Sequence, residues 1–105
     1  MEQKLEPELK SRWCEALRSG KFNQGVMNLK ADRGTFKEHC CLGVLLEIEG
    51  YYSKDHPTNT GYVELEKYMD IVTMEKLWTR NDGVQDFSGN RMNFEEIADF
   101  IEKEL

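Results

Sequence analysis

The stretch Cys40-Cys41-Leu42-Gly43-Val44-Leu45-Leu46 is apolar on every side, and nothing else in the chain constrains the fold as strongly. A segment with no polar face belongs in the middle of a domain, whether it is a helix or a strand. Length decides between the two. Extended through Glu47, Ile48 and Glu49 and stopped by Gly50, the run makes about three turns of helix. A buried helix near 39–49 is therefore expected, with a central strand as the alternative.

A central helix needs amphipathic elements to cover it. Pro7 suits a first helical position, Leu9, Trp13, Ala16 and Leu17 form one stripe, and Gly20 is a natural stop, which predicts a helix near 7–19. At the other end, Asn93 and Glu96 have the spacing of a capping box. They precede Phe94, Ile97, Ala98 and Ile101, so a helix is expected near 94–104. Thr73 is read as the cap of a shorter helix near 73–81 that buries Met74, Leu77 and Trp78. Between the first two helices, Ala31-Asp32-Arg33-Gly34 reads as the turn of an antiparallel hairpin near 26–38. Tyr62 to Glu66 alternates as a strand would, and 82–92 reads as loop. The expectation is a small α+β fold, one domain over 1–105, with about four helices and one hairpin. With 105 residues, such a chain hides roughly two thirds of its unfolded surface.

Charge narrows the function. Twenty acidic against 14 basic residues give a net charge of -6, the wrong sign for replacing counterions on a nucleic-acid backbone. No direct nucleic-acid binding is expected. A DNA mimic is the acidic alternative, although the charges alternate in sign along most of the chain. Cys14, Cys40 and Cys41 are a poor disulfide framework, and Met1 to Pro7 is too polar for a leader, so a reducing cytoplasm is the expected location. The Cys40–Leu46 run is about a third of a membrane span, so no membrane role is expected.

The residues with reactive potential do not converge. Cys14, His39, Cys40, Cys41 and His56 lack the short paired spacings of a zinc site, and adjacent residues on a helix diverge by about 100°. His39 beside Cys40 is no more favourable as a base and nucleophile, because neighbours in regular structure point apart. The carboxylates Glu95, Asp99 and Glu102 lie opposite the apolar stripe of the last helix and read as a solvated face. Neither an enzyme, a metal nor a cofactor is expected. Two polar clusters remain. Arg18, Lys21 and Gln24 surround a glycine turn that offers cations and backbone N–H groups to a phosphate or carboxylate. Asn81 and Asp82, at a helix exit, are candidates to complete that site or to brace it.

Several segments occur in a recognisable order: Trp13-x-x-Ala16-Leu17-Arg18-Ser19-Gly20-Lys21-Phe22-x-Gln24-Gly25, Cys40-Cys41-Leu42-Gly43-Val44-Leu45, Asn81-Asp82-Gly83 and Phe94-x-x-Ile97-Ala98-x-x-Ile101. Together they resemble a family of small, mostly uncharacterised bacteriophage and prophage proteins. This chain departs from that pattern in having Arg80 before Asn81, where the family tends to be apolar, and in a longer 83–92 loop. The resemblance implies a phage-type protein in the bacterial host cytoplasm. By analogy it also implies stoichiometric binding to a host protein, as an inhibitor or modulator with a possible anti-defence role. A binder or sponge for a small phosphorylated or nucleotide-like ligand at the Arg18–Gln24 turn is the alternative. A homodimer through an apolar face is compatible with either.

Overall fold

Helix α2 (Cys41–Ile48) is the axis of the fold, and every residue from Cys41 to Leu46 is buried. The computed structural model describes residues 5–25, 28–54, 56–57, 60–83 and 92–105. Among these are five α-helices and a three-stranded sheet, an α+β arrangement. Helix α1 (Pro7–Arg18) packs on α2 and, more extensively, on α5 (Phe94–Glu104), while α4 (Ile71–Asp82) covers the other side of α2. The expected stripes do the packing: Leu9, Trp13 and Leu17 on α1 and Phe94, Ile97, Ala98 and Ile101 on α5 are buried. Trp13 also donates from its indole Nε1 to the Cys41 carbonyl at 2.9 Å, which ties α1 to the start of α2.

The hairpin exists but sits further along the chain than its sequence suggests. Strand β2 (Lys30–Asp32) runs antiparallel to β3 (Lys37–His39), with Lys30 opposite His39 and Asp32 opposite Lys37. Gly34 has φ +92° and donates its N–H to the Asp32 carboxylate, as the turn chemistry requires. Phe36 belongs to the turn and is 46% exposed, since the tight end of the hairpin has no core to offer it. Of the first expected strand, Val26 and Met27 lie outside the described residues. An unforeseen two-residue strand, β1 (Asn23–Gln24), pairs parallel to the other edge of β3. The strand order is β1-β3-β2.

Three more details differ from expectation. Tyr62–Leu65 is a one-turn helix, α3, and not a strand. The alternation was misleading: Tyr62 and Val63 are 43% and 80% exposed, and Leu65 alone in that helix is buried. Helix α4 begins at Ile71, and its cap is Asp70, whose carboxylate accepts from the Thr73 N–H at 2.9 Å. It ends at Gly83, which is left-handed at φ +71°, and most of the expected 82–92 loop lies outside the described residues. The capping box of α5 is present in full, with Asn93 and Glu96 each bonding the other's backbone N–H.

Gly43 explains how the sheet reaches the helix. Leu29, fully buried, lies so close to α2 that a Cβ on Gly43 would overlap the Leu29 carbonyl. Alanine in place of a mid-helix glycine ordinarily stabilises by about 1 kcal/mol. Here Gly43→Ala should instead destabilise by about 2 kcal/mol or more, because backbone must move. Trp13→Ala should cost about 3–5 kcal/mol for an aromatic with no exposure. Chemical denaturation of both variants checks these values.

Candidate binding site

The cations of the first polar cluster are not gathered around an open anion site. Arg18 closes onto α5: its Nη2 lies 2.6 Å from Asp99 Oδ1 and 2.7 Å from Glu102 Oε1, and its Nη1 donates to Glu102 Oε2 at 2.9 Å. Two of the three carboxylates read as a solvated face are thus partners of Arg18. These bonds hold the guanidinium pKa above its ordinary value and the Glu102 pKa below its own. Lys21 is exposed and lines a shallow hollow with Arg12, Glu15 and Phe22, away from the Arg18 pairing. Arg12 is itself paired with Glu49 at 3.1 Å.

Gln24 and Asn81 do come together, in a structural junction. Asn81 is fully buried. Its Oδ1 accepts from the Cys41 N–H at 3.2 Å and from Gln24 Nε2 at 3.0 Å. Its Nδ2 donates to the Gly25 carbonyl at 2.8 Å and to Asp82 Oδ1 at 2.9 Å. A side-chain amide can make four such bonds, and Asn81 makes all four. It thereby caps the N-terminus of α2 from a neighbouring helix, where Cys40 supplies no side-chain cap of its own. Gln24 Nε2 also donates to the Met92 carbonyl at 2.8 Å, which joins α5's approach to the junction.

The thiols and histidines are equally committed. Cys14 Sγ lies 3.6 Å from the Ala98 carbonyl and Cys41 Sγ 3.7 Å from that of Leu77, so each sits in a helix–helix contact. Burial pushes the Cys40 thiol up to about 11, so it is protonated at neutral pH. Among the described residues, no group of three His, Cys, Asp or Glu side chains is placed to hold a metal ion. His56 stacks on Tyr51 at 4.0 Å between ring centroids. His39 is buried against the Phe22 ring, its Nε2 2.9 Å from Glu47 Oε1, and that carboxylate also meets Lys30 Nζ at 2.8 Å. His39 Nδ1 has no hydrogen-bond partner among the described residues.

Another open feature of the surface is one that the sequence pointed to only through Asp82. A cleft of about 390 Å³ opens between α3 and α4, walled among the described residues by Asn28, Cys40, Tyr62, Ile71, Trp78 and Asp82. Tyr62 and Trp78 meet edge to face, with ring centroids 6.2 Å apart. Ile71 in the cleft wall is 60% exposed, and Val72 on α4 and Val63 on α3 are 57% and 80% exposed. Large aliphatic side chains clustered in solvent are unusual on a protein without a use for them. Its lining combines an apolar wall with the protonated Cys40 thiol and the Asp82 carboxylate. A signal was available: Ile71 and Val72 fall outside the stripe of Met74, Leu77 and Asn81 that faces the core.

Asn81→Ala removes four bonds and leaves buried groups without partners, so it should cost about 2–4 kcal/mol. Asn81→Asp, which keeps the shape but cannot donate to the Gly25 carbonyl, should also be clearly destabilising; urea titration measures both. Burial lowers the His39 pKa against the opposing bond to Glu47, so the unfolded chain takes up the proton first. Glu47 is raised by burial, but the bonds from Lys30 and His39 outweigh this and lower it. Stability is then fully present above the ordinary histidine value of 6.5 and declines as pH falls toward the folded-state value. The slope from one proton is at most about 1.4 kcal/mol per pH unit. Glu47 extends the loss below its ordinary 4.5. Denaturation between pH 5 and 7.5 should show this slope in the wild type and a flatter one in His39→Gln.

Among the described residues, no helix is long and apolar enough to cross a membrane. No curated protein and no solved structure matches the chain. One family model does, over residues 5–70, which run from the approach to α1 through α3 to the Asp70 cap of α4. That match covers more than half of the sequence, and the chain belongs to the family described as a domain of unknown function, DUF8296.

Proposed function

We propose that this protein acts by stoichiometric binding to another protein, with the α3–α4 cleft as its docking surface. The observation that carries the reading is the exposure of Tyr62 and Ile71 in the wall of a cleft large enough for an apolar side chain, with Val63 and Val72 also exposed on the same two helices. Burying such side chains against a partner is the main source of affinity in protein association. The phage-type sequence pattern makes a bacterial host protein the proposed partner, and inhibition or modulation of that protein, in the host cytoplasm, the proposed consequence. The phosphorylated-ligand alternative is weakened by the pairing of Arg18 with Asp99 and Glu102, which leaves the turn with little net positive field. The same pairing takes two carboxylates out of any DNA-like array.

The reading is tested by a photo-crosslinking amino acid at Val72 on α4, with the same group at the exposed Glu95 on α5 as control. In bacterial lysate, Val72 should yield discrete adducts that Glu95 does not, and Ile71→Glu should abolish them. No adduct from Val72 above the Glu95 background sinks the docking reading. An adduct with a second copy of this chain replaces the host partner by a homodimer.

A further inference from the structure

One carboxylate oxygen ties both strands of the hairpin to the central helix. Lys30 and His39 stand opposite each other in the β2–β3 register. Both reach Glu47 Oε1 on α2, Lys30 through Nζ at 2.8 Å and His39 through Nε2 at 2.9 Å. The remaining charges of the hairpin are paired within it, Arg33 with Glu38 at 2.9 Å and Asp32 with Lys37 at 3.8 Å. Among the described residues, Glu47 is therefore the one side chain of α2 that makes a polar contact with residues 30–39. This contact dictates the state of the histidine ring. A carboxylate only accepts, so Nε2 carries the proton of the neutral ring and Nδ1 is a bare lone pair. The ring is 5% exposed and packed edge to face against Phe22, and Nδ1 finds no donor.

A second proton has no good place in this pocket. On Nδ1 it would be a buried N–H without an acceptor. It would also set a second cation beside Lys30, whose Nζ is already enclosed between Glu47 and the Tyr52 ring, 4.7 Å away. Glu47 from α2 and Lys30 from β2 are the charged groups that act on His39. Phe22 and Gln24, before and within β1, are uncharged, and the Tyr52 hydroxyl donates to the Thr60 carbonyl. Burial outweighs Glu47 and lowers the His39 pKa, while Glu47 itself is held below its ordinary 4.5. Of this bonded pair, His39 is thus the member that changes charge in mild acid once it leaves the pocket. We propose that the hairpin is an acid-released latch, in which protonation of His39 frees residues 30–39 from α2 while the helices stay packed. The base of the hairpin is kept in place by Leu29, buried against Gly43. The α1–α5 wall is held by Trp13, Leu17 and Arg18, none of which touches the latch. Release uncovers the Phe22 ring, which also walls the hollow beside Lys21, so that surface changes with pH.

The test is amide hydrogen exchange of the full-length protein by NMR at pH 7.5 and 5.5, expressed as protection relative to the unstructured chain at each pH. The Gly25 N–H, which donates to the His39 carbonyl at 2.8 Å, reports release. Its protection should fall about tenfold across this interval, the effect of one proton taken up at the ordinary histidine value of 6.5. Urea up to about 1 M should hardly alter it, because little surface is exposed. Amides in the middle of α1 and α5 should remain better protected at both pH values and lose about fivefold per molar urea, as global unfolding does. In His39→Gln, Gly25 protection should not change with pH. Wild-type protection at Gly25 that ignores pH, or that follows the helix amides in both pH and urea, overturns the latch, and this comparison holds even if His39→Gln fails to fold. Imidazole nitrogen shifts give a second readout: the Nε2–H tautomer is expected at pH 7.5, and a doubly protonated ring in the closed protein at pH 5.5 also overturns the proposal.

Discussion

Three distant parts of this chain meet at one buried amide. Asn81, on α4, holds the Gln24 side chain, the Gly25 carbonyl and the first N–H of α2. A helix start buried without a cap leaves donors facing an apolar interior, which a small fold tolerates poorly. Because α2 opens on Cys40 and Cys41, the cap has to come from elsewhere, and Asn81 supplies it. The position of α4 is thereby fixed relative to both the sheet and the central helix. The cleft follows from this placement: once Met74, Leu77 and Asn81 face inward, Ile71, Trp78 and Asp82 are left on the outer side.

The same economy explains the apolar run. Helix α2 is surrounded, and its neighbours approach at different distances according to what its residues permit. Gly43 lets the Leu29 backbone lie against the helix. Cys41 packs toward α4 through its sulfur, and Cys14 does the same between α1 and α5. The cysteines are small, soft packing residues here. Their burial keeps the thiols protonated and removes the chemistry that adjacent cysteines beside a histidine suggest on paper.

Much of the architecture was legible because it rests on periodicity. Leu9, Trp13 and Leu17, the Asn93–Glu96 capping box and the all-apolar run each signal a helix by local rules. What was not legible depends on contacts between distant residues. β1 is two residues long and exists only because β3 has a free edge beside it. Tyr62 to Leu65 alternates in type, but whether it is strand or helix was decided by where Leu65 could be buried. Arg18 looked available for a ligand because its partners, Asp99 and Glu102, are more than 80 residues away in sequence. Gln24 and Asn81 were candidates for ligand contact in the sequence, and the structure joins them in a hydrogen-bonded junction with Gly25 and the start of α2. The cleft was missed because its signal was an excess of aliphatic side chains on α4, and a search for reactive groups passes over that.

The packing of α1 on α5, locked by Arg18, has a consequence for how the molecule is made. The first helix cannot bury Trp13 and Leu17 fully until residues beyond position 94 are available to it, and such long-range closure is slow compared with helix formation. During synthesis the N-terminal half, including the greasy central helix, waits incompletely shielded while the ribosome completes the other side of its core. Chaperone dependence and sensitivity to C-terminal truncation are natural properties of a fold whose two ends form one wall.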